Sequence, residues 1–186
     1  ARRLFWLTAT VLLAVAVHLA VIIFTPRAAM SHMMAEIKSL SGENRLRLLT
    51  AEEAARLLNE TAPGLRIAAC VIDVKAAPVI IHAVIPERDW SINLYASDGT
   101  SIYALNGRQA APGPITIAVH QRQRTSLFDP ALPPADPAAP NSFSVETTRP
   151  TGLAIMRTRL PSPAYGARVD EEFSRASCGT ATDQPS

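Results

Sequence analysis

The sequence lacks the short motifs that mark most nucleotide-handling and hydrolytic sites. It holds no Walker loop, no Rossmann glycine fingerprint, no Gly-x-Ser-x-Gly elbow and no His-Glu-x-x-His pair. Neither Cys-x-x-Cys nor His-x-x-x-His spacing occurs, so no metal site is expected from the ligand pattern. Lysine is scarce as well: of eighteen basic residues only Lys38 and Lys75 are lysines, the arginines are dispersed, and the net charge is +2. Without a dense cationic surface to follow a phosphate backbone, nucleic acid is set aside as a partner. Cysteine is limited to Cys70 and Cys178. Proline, by contrast, occurs fifteen times, which argues against an all-helical bundle and for a chain with many turns.

One long apolar run is present. Leu4 to Phe24 reads LFWLTATVLLAVAVHLAVIIF, interrupted by Thr8, Thr10 and His18 alone. At about 1.5 Å per residue this run spans a bilayer core of about 30 Å, making the lipid bilayer the expected partner of residues 4–24. Arg2, Arg3 and the α-amine precede it and Arg27 follows, a bias that places the N-terminus in the cytoplasm and the remainder outside. The expected location is the bacterial inner membrane, with the C-terminal domain in the periplasm. A cleaved signal peptide is the rival reading. Against it, the run exceeds an apolar region of about 7–15 residues, and Thr-Pro-Arg-Ala-Ala (25–29) is a poor cleavage site. Ala1 at the start reads as removal of an initiator Met. His18 is an ionisable group inside the expected span, and Ala14 lies one turn before it. That spacing leaves a small surface where a planar tetrapyrrole fits, its metal ligated by the imidazole, an arrangement similar to bacterial antenna polypeptides. The plainer reading is a neutral His bonded to a neighbouring helix or a backbone carbonyl. No other cofactor is expected.

Past the anchor, 1–27, a helical linker is expected over 28–64. Met33, Met34, Ile37 and Leu40 recur at helical spacing, and Thr50-Ala-Glu-Glu53 has capping-box form ahead of Ala54, Leu57 and Leu58. From Leu65 the period changes. Residues 65–74, 78–85, 90–96, 101–106, 115–121, 143–148 and 152–159 are short, β-branched-rich runs separated by turn residues. The fold class expected is mainly β: an antiparallel β-sandwich or open barrel with short flanking helices, preceded by one transmembrane helix. The β domain runs over 65–178 and closes with a helix near Gly166–Ser177, and 179–186 is expected as a disordered tail. The proline-rich segment Ser126–Pro140 reads as a surface excursion or, alternatively, as a polyproline docking segment.

A lone cysteine pair in an exported domain most economically forms one disulfide, Cys70 to Cys178; two buried free thiols are the competing reading. The polar residues able to converge are His82, Asp89, Asn93, Asp98 and His120. A His with a carboxylate makes an acid–base pair if the fold joins them. Alternation along PVIIHAVI and ITIAVHQ instead places each His where a half-buried structural residue falls. Glu87-Arg88-Asp89 reads as a solvated turn.

The run IPERDWSINLYASDGTSIYALNGR (85–108) contains Trp90, Ser91, Tyr95, Gly99, Tyr103, Ala104 and Asn106 in a Trp-Ser-x-x-x-Tyr-x-x-x-Gly-x-x-x-Tyr-Ala-x-Asn pattern. With a Cys-containing strand upstream, a Cys near the C-terminus, and His18, Pro26 and Arg27 in the leading segment, the chain resembles the domain-of-unknown-function family 1254 in its small membrane-anchored form. The resemblance implies a β-rich module whose larger relatives are fused to a second domain, family 1214, and whose short form has a separately encoded partner of that kind. It implies no established activity. Trp90 and Tyr95 are separated by an odd number of residues, so one aromatic is expected in the core and the other on the opposite face.

The sequence therefore points to a non-enzymatic, single-pass periplasmic accessory protein that binds other proteins, a subunit of a larger membrane complex of which respiratory and photosynthetic assemblies are examples. Two rivals stand beside it: a β domain enclosing a small apolar ligand such as a lipid or pigment, and an envelope enzyme using His82 or His120 with Asp89.

Overall fold

The computed structural model describes residues 1–85, 89–110, 112–122 and 141–180. The proline-rich segment 126–140, the residues Glu87 and Arg88, and 181–186 of the expected tail lie outside them.

Helix α1 (Arg2–Ser41) opens the chain, followed by β1 (Arg47–Leu48) and α2 (Ala51–Leu58). Then come β2 (Leu65–Asp73), β3 (Val79–Ile85), β4 (Trp90–Ala96), β5 (Ser101–Asn106), β6 (Gly113–Gln121), β7 (Ser142–Thr147) and β8 (Thr151–Arg159). A 3-10 turn at Pro163–Tyr165 leads into α3 (Gly166–Ser174), and β9 (Ser177–Thr180) ends the described chain. The strands form two sheets, in the orders β1-β2-β8-β4-β5 and β7-β6-β3-β9. All pairings are antiparallel except that of β6 with β7. The fold is a β-sandwich, one of the two architectures that the strand pattern allows. A parallel pair needs a crossover of a dozen or more residues, and the interval between β6 and β7 is long enough to make one.

The sandwich core follows from alternation. β4 buries Trp90, Ile92, Leu94 and Ala96, and β6 buries Ile115, Ile117 and Val119, while the residues between them are half-buried or exposed. All of these side chains except that of Ala96 join Ile81, Leu105, Val145 and Met156 in the core between the sheets. Strands β2 and β8 break the alternation because both of their faces are covered. Ala68, Cys70 and Ile72 point into the sandwich, whereas Ile67, Ala69, Val71, Leu153 and Ile155 pack with Met30, Ile37, Leu49 and Ala54 of the helical layer. The molecule therefore has three layers: helices, first sheet, second sheet. Gly152 sits where β8 meets β4, and a Cβ there would stand 2.5 Å from the Tyr95 carbonyl oxygen, so no side chain fits.

Three features differ from the sequence reading. First, the anchor 1–27 and the start of the expected linker are continuous, because α1 runs through Pro26 as one helix of 40 residues. Proline removes one backbone donor and costs a helix interior about 3 kcal/mol. Here Arg27 Nη1 donates to the Ile23 carbonyl at 2.7 Å, and the segment beyond is rich in strong helix formers. Burial of Met30 and Ile37 then favours continuing the helix across the sheet. Second, the expected linker 28–64 is part of the packed domain. Thr50 and Glu53 form the expected capping box, with bonds of 3.1 and 2.9 Å, and it starts α2 against the sheet. The bond from the Thr50 backbone, followed by that from Arg47, holds the Glu53 carboxyl below the usual carboxylate range. Third, the last helix ends at Ser174 rather than near Ser177, and Gly179 and Thr180, expected in the tail, pair with Ile80 and Val79 of β3. Cys178 draws the chain in there: it forms a disulfide with Cys70, Cα to Cα 6.5 Å, which ties the second sheet to the first.

Candidate functional site

The β4–β5 hairpin carries the residues singled out by the resemblance. Trp90 enters the sandwich core and Tyr95 packs on the opposite, helix-covered face, as their odd spacing predicts. Gly99 makes the turn at φ +87°, a left-handed conformation suited to glycine. Tyr103 lies against Phe143 with ring centroids 6.1 Å apart, and burial pushes its phenol above the ordinary value. Asn106 Oδ1 accepts from the Arg108 N–H at 3.0 Å, so this side chain shapes the following turn. Most of the hairpin motif is accordingly scaffold.

Ser91 is placed differently. It faces away from the core, accepts from Asn93 Nδ2 at 3.3 Å, and lies in register between Asn106 of β5 and Arg157 of β8. Around it the ends of β4 and β8 and the chain after α2 form an open cleft of about 350 Å³, lined by Glu60, Asp89, Ser91, Arg157 and Arg159 together with Trp90. Arg157 Nη1 stands 3.5 Å from Glu60. Its Nε is buried without a hydrogen-bond partner among the described residues, as is Oε2 of Glu172, which lines with Arg157 a smaller neighbouring space. The cleft is thus bipolar: its lining includes two arginines and two acidic residues, brought together from the ends of β4 and β8 and the chain after α2, an arrangement suited to holding a polar or charged segment. Glu60, Arg157, Arg159 and Glu172 are not singled out by sequence reasoning. The signal for Arg157 is its place in the β8 run GLAIMRTR, a charge on the outward register of a strand otherwise buried on both faces.

The histidines do not join this cleft. His82 Nδ1 and Thr116 Oγ1 are 3.0 Å apart on the outer face of the second sheet, and His120 Nε2 lies 3.7 Å from Glu146 Oε1. Arg122 holds the Glu146 carboxyl below the usual range, with His120 contributing less. The Asp89 carbonyl accepts from Thr158 Oγ1 at 2.9 Å and the Arg159 N–H at 3.1 Å, and no bond joins Asp89 to either histidine among the described residues. Asp98 pairs with Arg149 at 3.2 Å in the β4–β5 turn. Hydrogen bonds from Thr100, and then Arg149, hold the Asp98 carboxyl below the usual range. His18 stands exposed on the apolar part of α1. Among the described residues no group of three or more His, Cys, Asp or Glu is placed to hold a metal. The space between Val84, Trp90, Met156 and Phe173 measures about 20 Å³, room for about one water.

No protein-family model matches the chain. No curated protein matches it either. Among solved structures it is similar to the VPA0106 protein from Vibrio parahaemolyticus, at 9% identity and a TM-score of 0.59, over 87% of this chain and 37% of that one. It is also similar to an uncharacterised protein from Burkholderia cenocepacia, at 16% identity and a TM-score of 0.46, over 64% of this chain and 32% of that one. The chain spans little more than a third of the first neighbour's length. That first likeness shows the fold: this layered sandwich is an architecture found in a solved protein.

Proposed function

We propose that the chain is a single-pass accessory protein of the bacterial inner membrane, its N-terminus cytoplasmic and its β domain binding another protein on the periplasmic side. The observation that carries this reading is the double nature of α1. Its apolar first half, the one described helix long and apolar enough to cross a membrane, is exposed throughout that window. Its second half supplies Met30 and Ile37 to the packed layer. A hydrophobic surface of that extent on one helix needs a lipid or protein environment. The hydroxyls of Thr8 and Thr10 bond back to the carbonyls of Leu4 and Trp6 at 3.0 and 2.9 Å, which lowers the cost of placing them in hydrocarbon. The Cys70–Cys178 disulfide suits an oxidising compartment.

A rigid mount favours binding over free diffusion, and the bipolar cleft around Ser91 and Arg157 is the surface we assign to the partner. The partner class is the one the family 1254 resemblance implies, a separately encoded family 1214-like module or another subunit of a membrane complex. The test is affinity purification of the native protein in mild detergent, followed by mass spectrometry and an absorption spectrum. A defined set of membrane subunits is the expected result, and a strictly monomeric species at native expression overturns the accessory role. Pigment bands that vanish with His18→Ala would assign the tetrapyrrole to His18.

A further inference from the structure

The continuity of α1 into the sandwich fixes where the domain meets the bilayer. Phe24 ends the apolar run, and Pro26 lies about 3 Å further along the axis, within a headgroup layer roughly 5–7 Å deep. Pro26 also lies against the β4–β5 turn: a Cβ on Gly99 would stand 3.5 Å from the Pro26 carbonyl oxygen and 3.8 Å from its Cβ. The turn therefore shares the depth of Pro26. Its residues, Ser97, Asp98, Gly99 and Thr100, include no large apolar side chain, which suits headgroups and not acyl chains. Ser97 donates its backbone N–H to the Thr151 carbonyl at 3.1 Å, and Asp98 pairs with Arg149, so the β7–β8 turn is carried to the same level. Arg27 and the half-exposed Arg149 bring cations to that level, and Arg149 engages Asp98 through Nε, leaving its terminal amino groups available to phosphate oxygens.

We propose that the β4–β5 turn with Arg149 is a phospholipid-headgroup contact that seats the β domain directly on the membrane beside α1. The inference rests on the membrane-anchor reading above and goes beyond it, since an anchored domain can also stand clear of the lipid. At the other end of α1, Ser39 is thirteen residues past Pro26, about 20 Å further from the membrane along the axis. One rigid helix thus provides its own ruler.

The experiment places single environment-sensitive fluorophores, through Leu12→Cys, Ser39→Cys and Ser101→Cys, in the full chain reconstituted in phosphatidylglycerol nanodiscs. Quenching is read with nitroxide lipids labelled at the headgroup or in the acyl chain. The expected result is strong acyl-chain quenching at Leu12, headgroup quenching at Ser101 several-fold above that at Ser39, and loss of about half the Ser101 signal with Arg149→Gln. Quenching at Ser101 as low as at Ser39, with Leu12 still quenched, overturns the headgroup contact and leaves the anchor standing. An unaltered Ser101 signal in Arg149→Gln overturns the part assigned to Arg149. Absence of quenching at Leu12 overturns the anchor reading, and the contact with it.

Discussion

Replacing Cys70 and Cys178 together by alanine is expected to lower the unfolding free energy by about 2–5 kcal/mol, read from urea unfolding of the full chain in detergent. The bridge closes a separation of 108 residues, so the entropic restriction it places on the unfolded chain is near the upper end of that range. Its position concentrates the effect. β9 is a four-residue edge strand paired with β3 alone, and α3 buries Val169 and packs Phe173 on the sandwich core. Without the bridge, β9 and α3 should open before the rest. Hydrogen exchange is expected to accelerate by orders of magnitude at β9 while β2 and β8 keep most of their protection. A loss below about 1 kcal/mol, with β9 still protected, would mean that sheet pairing alone secures the C-terminal elements.

The second large effect is expected at Ile37. The residue is 0% exposed, packed between α1 and the outward face of β2 and β8, so Ile37→Ala removes buried methyl groups and leaves a cavity at the joint between helix and sheet. The expected cost is about 2–5 kcal/mol. Leu12→Ala supplies the contrast on the same helix: Leu12 is 64% exposed, and its truncation should leave domain unfolding unchanged. Equal effects from the two variants would contradict the division of α1 into a lipid-facing half and a packed half. The Ile37 variant should also loosen the domain on its mount, with a label at Ser101 showing greater mobility in nanodiscs than in the unaltered chain.

Much of the architecture is legible because its strands obey a simple pattern. The hairpin Trp90–Asn106 declares itself through alternation and the Asp98-Gly99 turn, and its two ends fall where the residues place them. β1 and β9 are not legible. Arg47-Leu48 and Ser177-Cys178-Gly179-Thr180 carry no β-branched run, and their extended state is imposed by pairing with β2 and β3. The continuity of α1 is hidden for a different reason. A proline usually ends a helix, and only the burial of Met30 and Ile37 against a distant sheet reveals why this one carries on. The bipolar cleft is the least legible feature, because Glu60, Ser91 and Arg157 become neighbours only through the strand order β2-β8-β4. His82 and His120 lie half-buried on the second sheet, beside Thr116 and Glu146 respectively.

The central proposal is that α1 crosses the membrane and holds the β domain outside the cytoplasm. Carbonate extraction of bacterial membranes, followed by protease treatment of intact cells, spheroplasts and lysed spheroplasts, tests it directly. The expected result is that the full chain stays in the carbonate-washed membrane pellet and that its domain is cut in spheroplasts but protected in intact cells. A chain released by carbonate, or a domain cut only after spheroplasts are lysed, would contradict it.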